Sequence, residues 1–184
     1  MLVLEWADMN CTSTAAKISP VQSAVSVREP TLNSPSICSI LGKETYLPSY
    51  SAWYGASDKL RTHSGLTLYP KKWNKELLYV RDKINDVANV QFNGVLINWH
   101  RDGDDSINWH ADDERSLGLN PVVGSVNFGE TRDFVLKKCD KSEKLTIPVK
   151  HGTLLIMRGE LQHFWEHSVP KRTKIKHDRI NLTF

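Results

Sequence analysis

From Phe92 to the last residue the sequence runs as seven short apolar segments: Phe92 to Trp99, Val122 to Phe128, Asp133 to Lys138, Leu145 to Val149, Thr153 to Met157, Phe164 to Ser168 and Ile180 to Phe184. Gly, Pro or Asp separates several of them. Segments of five to eight residues are too short for ordinary helices, and their Val, Ile, Leu, Phe and Thr content fits strands. Strands in such a series bury their apolar faces against one another or against a covering helix, which predicts a mainly β (α+β) domain of the sandwich or jelly-roll type.

One covering helix is legible. Trp73, Leu77, Val80, Ile84 and Val87 recur at intervals of four and three, while Lys72, Lys75, Glu76, Arg81 and Asp82 fill the other positions. That spacing makes one apolar stripe and predicts an amphipathic helix laid on one face of the sheet. Between Ile37 and Leu68, short apolar pieces alternate with Gly42, Pro48, Gly55 and Gly65, the pattern of N-terminal hairpins and loops. Asn10 to Ser36 is dominated by Ser, Thr, Ala, Val and Pro without a helical period. Residues 1–36 are therefore expected to form a flexible or loosely docked arm, and residues 37–184 the folded domain.

Length and composition narrow the function classes. A chain of 184 residues suits one domain with one core. With 40% apolar and 24% charged residues it is not a disordered chain. Cys11, Cys38 and Cys139 are too scattered for a disulfide framework or a zinc ribbon, which favours a reducing, intracellular location. The first ten residues carry Glu5 and Asp8 and no basic start, unlike a secretory signal. No apolar run approaches the roughly 20 residues of a membrane helix, so no membrane partner is expected. Lys and Arg exceed Asp and Glu by only 24 to 21. Attraction to a polyanion must therefore come from clusters such as Lys71-Lys72, Lys137-Lys138 and Lys171 to Lys176. A monomer is expected.

The chemistry concentrates in Asn108-Trp109-His110-Ala111-Asp112-Asp113-Glu114. In an extended segment residues i and i+2 share a face, so His110 and Asp112 can reach one ion. A third ligand must come from a distant strand, and His167 lies in one. Two imidazoles and one carboxylate on one face of an octahedron leave three positions open, the arrangement of non-haem Fe(II) oxygenases. In a chain with seven histidines, His-x-Asp alone is a weak signal. His163 shares strand parity with His167 and is the alternative distal ligand. His151, before Gly152 at an apparent turn, reads as structural, and His100, His63 and His177 have no partner at ligand spacing.

Three stretches together resemble the AlkB family of Fe(II)- and 2-oxoglutarate-dependent nucleic-acid dealkylases, especially its eukaryotic-type DNA repair members. They are Phe92 to Gly103 continuing to His110-Ala111-Asp112-Asp113-Glu114, then Gly124 to Gly129 with Arg132-Asp133-Phe134, and His151 to Met157 with Gln162 to Pro170 and Arg179 to Phe184. The likeness also takes in Ser64-Gly65-Leu66-Thr67-Leu68 and runs from about Ile37 to the end. Each piece is unremarkable alone; their order and spacing are specific.

The resemblance implies a double-stranded β-helix in which His110, Asp112 and His167 hold Fe(II). It places 2-oxoglutarate against Arg179, whose guanidinium can grip a carboxylate through two parallel hydrogen bonds. Asn98, His100, Asn181 and Thr183 are placed by the same likeness at the co-substrate. Two departures stand out. His100 occupies a position where the family has Tyr, which alters or removes a hydrogen bond to the co-substrate. The family motif continues with a second Arg after the final Phe, and this sequence ends at Phe184; either it is clipped or the pocket is one cation short.

The implied activity consumes O2 and 2-oxoglutarate, yields succinate and CO2, and hydroxylates an N-methyl group that leaves as formaldehyde. The implied substrates are bases of the 1-methyladenine and 3-methylcytosine type in DNA or RNA, taken from single strands or flipped out of a duplex. By resemblance, His63 stacks on the base, Asp113 lies near its polar edge, and Ser64 and Glu114 complete the substrate contacts. Leu41, in Ile40-Leu41-Gly42-Lys43, is a candidate wedge for opening a duplex. Two alternatives remain open at this level: an oxygenase acting on protein or a small molecule, and a catalytically weak nucleic-acid-binding module.

Overall fold

The computed structural model describes residues 3–8, 37–40, 43–46, 50–56, 61–63 and 66–184. Among the described residues, fourteen strands and two α-helices follow one another: β1 (Val3–Asp8), β2 (Ile37–Ile40), β3 (Lys43–Tyr46), β4 (Tyr50–Gly55), β5 (Arg61–His63), β6 (Leu66–Leu68), α1 (Lys75–Ala88), β7 (Gly94–His100), β8 (Ile107–His110), β9 (Val123–Gly129), β10 (Arg132–Lys138), β11 (Lys144–Val149), β12 (Thr153–Arg158), α2 (Leu161–Phe164), β13 (Trp165–Val169) and β14 (Arg179–Thr183). β1, β12, β9, β14, β7 and β4 form a six-stranded sheet, and β11, β10, β13 and β8 a four-stranded one. Every pairing within both sheets is antiparallel. β2–β3 and β5–β6 are separate hairpins, as the Gly- and Pro-punctuated segment predicts.

Each sheet has two unlike faces because side chains alternate along a strand. On the large sheet, Ala52, Tyr54, Val95, Ile97, Val126, Phe128, Leu154, Ile156, Ile180 and Leu182 form one apolar face, and Leu77, Val80, Ile84 and Ala88 of α1 pack against it. The helix is thus a lid on the back of the sheet. Asn74 caps its start, accepting from the Leu77 N–H at 2.8 Å, and Asn89 ends it in the left-handed conformation at φ 52°. Val87, included in the predicted stripe, is exposed, and Ala88 takes the buried position after Ile84.

The opposite face of the large sheet meets the small sheet. Val123, Leu155 and Met157 pack there with Phe134, Leu136, Val149, Leu161, Trp165 and Val169. This apolar core fills part of the space between the sheets and leaves a polar region beside it, as in a jelly roll. Two strands differ from the sequence expectation. β8 is only four residues long and contains Asn108 and Trp109, so it carries no apolar alternation. β1, inside the segment expected to be an arm, pairs with β12 from Val3↔Arg158 to Asp8↔Thr153.

Candidate metal centre

β8 and β13 run side by side in the small sheet, with His110 directly opposite His167. Their rings lie 4.2 Å apart between centroids. Asp112 follows two residues after β8 ends, and one donor atom from each of His110, Asp112 and His167 lies within 4.8 Å of the others. His110 and Asp112 thus come together although they do not share a strand: β8 stops at His110, and Asp112 reaches the site from irregular chain.

The local chemistry fits a cation. The His110 Nδ1 lies 2.8 Å from the Asn108 carbonyl oxygen, which makes Nδ1 the protonated nitrogen and leaves the Nε2 lone pair for a ligand bond. His167 is buried and stacks on Phe134 at 5.1 Å. Burial, and secondarily His110, push its pKa down to about 3, so it is a neutral imidazole at physiological pH. Its Nε2 lies 3.6 Å from Asp112 Oδ2, beyond hydrogen-bond range. Metal–ligand bonds of about 2.0–2.2 Å put neighbouring donors about 3 Å apart, so a modest inward movement lets these atoms share one ion.

The facing wall, on β7, β9 and β14, is polar and dominated by a cation. Arg179 is 2% exposed. One of its terminal nitrogens donates to His100 Nε2 at 3.2 Å and the other makes a short bond to Asn127 Oδ1. Burial first, and Arg132 second, lower its pKa to about 9. No carboxylate among the described residues pairs with it. A buried guanidinium held only by neutral acceptors is suited to an incoming carboxylate. His100, wholly buried, is pushed down to about 3 by burial and then by Arg179 and Arg132. It therefore accepts from Arg179 as a neutral ring.

Around this pair the asparagines form a supporting row. Asn181 faces Asn98 across β7 and Asn127 across β9. Asn98 accepts from Ser51 at 2.7 Å, Asn181 donates to Ser125 Oγ at 2.8 Å, and Thr183 donates to Asn181 at 2.8 Å. Asn127 carries no local signal in the sequence, because its partner lies 52 positions away and the β9–β14 register brings the two together. Arg132 is likewise a support of the site that the sequence does not mark. It is buried and donates to the carbonyls of Asp102, Asp105 and Pro170, stapling the loop between β7 and β8 to the chain after β13.

The other candidates fall into place or outside it. Asp113 is exposed and Glu114 half-buried, immediately after the metal carboxylate. His163 is not in a strand: residues 161–164 make one helical turn, and His163 is exposed with its Nε2 2.9 Å from Asn120 Oδ1. His151 is structural, accepting from the Gly129 N–H at 3.1 Å. His63 lies in β5. Leu41 and Ser64 lie outside the described residues.

Residues 12–184 match the 2OG-Fe(II) oxygenase superfamily. The chain is 41% identical over 153 residues to the DNA oxidative demethylase ALKBH2 of Bos taurus, covering 79% of this chain and 55% of that protein. It is 40% identical over 147 residues to the alpha-ketoglutarate-dependent dioxygenase alkB homolog 3 of Bos taurus, covering 74% of this chain and 51% of that protein. It therefore spans about half the length of these curated relatives. The solved structure of OsALKBH1 superposes with a TM-score of 0.65 over 98% of this chain and 96% of the other; at 14% identity that likeness speaks for the fold. Together with the paired histidines, the carboxylate and the buried guanidinium between two antiparallel sheets, these matches place the chain in the 2OG-Fe(II) oxygenase superfamily and, within it, in the AlkB family.

Proposed function

We propose that this chain is an oxidative demethylase of N-alkylated bases of the 1-methyladenine and 3-methylcytosine type in DNA or RNA. The observation that carries the proposal is the pairing of two sites in one sandwich: three metal donors on the small-sheet side and, on the large-sheet side, a buried guanidinium that pairs with no carboxylate among the described residues. The first suits Fe(II) and the second the distal carboxylate of 2-oxoglutarate. The names of the relatives, DNA oxidative demethylase and alpha-ketoglutarate-dependent dioxygenase, support the same activity.

When bound, Fe(II) with 2-oxoglutarate and O2 supplies an oxidation that leaves succinate and CO2 and turns an N-methyl group into a hydroxymethyl group, released as formaldehyde. The chain's own part is positioning. His110 presents Nε2 because its other nitrogen donates to Asn108. His167 stays neutral and oriented because it is buried against Phe134. Asn127 and His100 hold the Arg179 fork. Asp113 and Glu114, next to the metal carboxylate, put negative charge where a cationic methylated base would enter. Such a base must be single-stranded or flipped to reach a site between two sheets.

The test is anaerobic loading with Fe(II) and 2-oxoglutarate, followed by O2 and a panel of methylated oligonucleotides, with product masses read. Loss of a methyl mass from the oligonucleotide, absent in Asp112→Ala, is expected. Consumption of 2-oxoglutarate without change in any oligonucleotide would move the substrate to another class. The same proposal includes residues 37–184 as the catalytic domain, an intracellular location and a monomeric chain.

A further inference from the structure

We infer that Gln162 is a positioning residue for the metal carboxylate: its side-chain amide fixes the backbone from which Asp112 reaches the ion. The inference rests on the metal-site reading of His110, Asp112 and His167.

Asp112 lies beyond the end of β8, so the small sheet's hydrogen-bond ladder does not extend to it. Its backbone N–H instead donates to Gln162 Oε1 at 2.9 Å, a buried bond across 50 positions of sequence. The amide orientation is fixed chemically, because a backbone N–H requires the oxygen as acceptor. The amide nitrogen then faces the Met157 sulfur at 3.8 Å, a soft acceptor.

The four residues of α2 explain why this amide points inward. Leu161 and Gln162 are buried while His163 and Phe164 are exposed, and Leu161 belongs to the core between the sheets. The turn therefore drives position 162 toward Asp112. It also leads directly into β13, which carries His167. One short unit thus supplies one ligand through its own side chain and steadies another through a hydrogen bond. Groups that orient ligands without touching the metal change affinity by about 10- to 100-fold when removed.

The test is titration of the full chain with Co(II), reading affinity and the visible absorption that reports ligand geometry. Gln162→Met removes the acceptor at nearly constant volume. Gln162→Glu retains an acceptor. Asn85→Leu is the control, since Asn85 makes the same kind of bond, accepting from the Phe92 N–H at 2.9 Å, beneath the end of α1. The expected result is a loss of at least about tenfold in Co(II) affinity with an altered spectrum for Gln162→Met. Gln162→Glu should fall short of that loss, and Asn85→Leu should bind Co(II) as the unmodified chain does. Unchanged affinity in Gln162→Met, or an equal loss in Asn85→Leu, overturns the inference. If Gln162→Met does not fold, Gln162→Ala, which also removes the acceptor, is read in its place on the same threshold. Failure of the unmodified chain to bind Co(II) would instead refute the metal site itself.

Discussion

Replacing Arg179 by Met separates a cation held for a ligand from a cation that holds the fold. Burial lowers the Arg179 pKa from the usual guanidinium range to about 9, which at 1.36 kcal/mol per tenfold disfavours the charged form by about 5 kcal/mol at most. Its bonds to His100 and Asn127 act in the other direction, each contributing about 1.5–3 kcal/mol as hydrogen bonds from a charged donor. These terms nearly cancel, so Arg179→Met should change the stability of the ligand-free chain by less than about 2 kcal/mol. The effect of 2-oxoglutarate is different. At a hundred times its Kd a ligand stabilises the folded chain by about 2.7 kcal/mol, or roughly 5–11 °C in Tm for a domain of this size. Thermal unfolding with and without 2-oxoglutarate, in the presence of Mn(II), should show that increment in the unmodified chain and not in Arg179→Met. A ligand-free loss above about 4 kcal/mol, or a retained 2-oxoglutarate increment, would make Arg179 a structural strut.

Three further outcomes follow from the same geometry. His100 and His167 are pushed from 6.5 to about 3, so the unfolded chain binds protons that the folded chain refuses. Their contribution is complete above pH 6.5 and is lost as pH falls toward 3, which removes up to about 4 kcal/mol from the metal-free chain between pH 7 and 5. Urea unfolding at the two pH values measures it, and coincident midpoints would refute it. Arg132→Met strands the carbonyls of Asp102, Asp105 and Pro170. It should destabilise by about 3 kcal/mol or more and lower Tm by at least roughly 6–12 °C, with Arg132→Lys recovering less than half; a wild-type melt would contradict the stapling role. A Cβ on Gly103 would overlap the Arg172 carbonyl oxygen, which is backbone and cannot swing aside. Gly103→Ala should therefore speed hydrogen exchange at the Gly103 and Arg172 amides, which bond to Ile175 and Gly103, and unchanged protection would count against the docked loop.

Much of this architecture is legible in sequence because apolar pattern and turn chemistry agree along the second half of the chain. The segments around Val126, Leu136, Leu154 and Leu182 are strands within one or two residues of their predicted limits. β8 escapes because Ile107-Asn108-Trp109-His110 is short and half-exposed, with no period to read. His163 does not share a strand face with His167, because Leu161 begins a helical turn where the apolar pattern suggests a strand. His110 and Asp112 are visible as neighbours in sequence, whereas Asn127, Arg132 and Gln162 act on residues 27 to 52 positions away. Their roles depend on sheet register and on the turn before β13, which local propensity does not encode.

The central claim is that His110, Asp112 and His167 hold one Fe(II) that 2-oxoglutarate can chelate. Anaerobic titration of the chain with Fe(II) in saturating 2-oxoglutarate, followed by visible charge-transfer absorption, measures this directly. The account predicts one equivalent of iron per chain and loss of the band in His110→Ala, Asp112→Ala and His167→Ala, each still folded by circular dichroism. Absence of the band in the unmodified chain, or its persistence in all three variants, would contradict it.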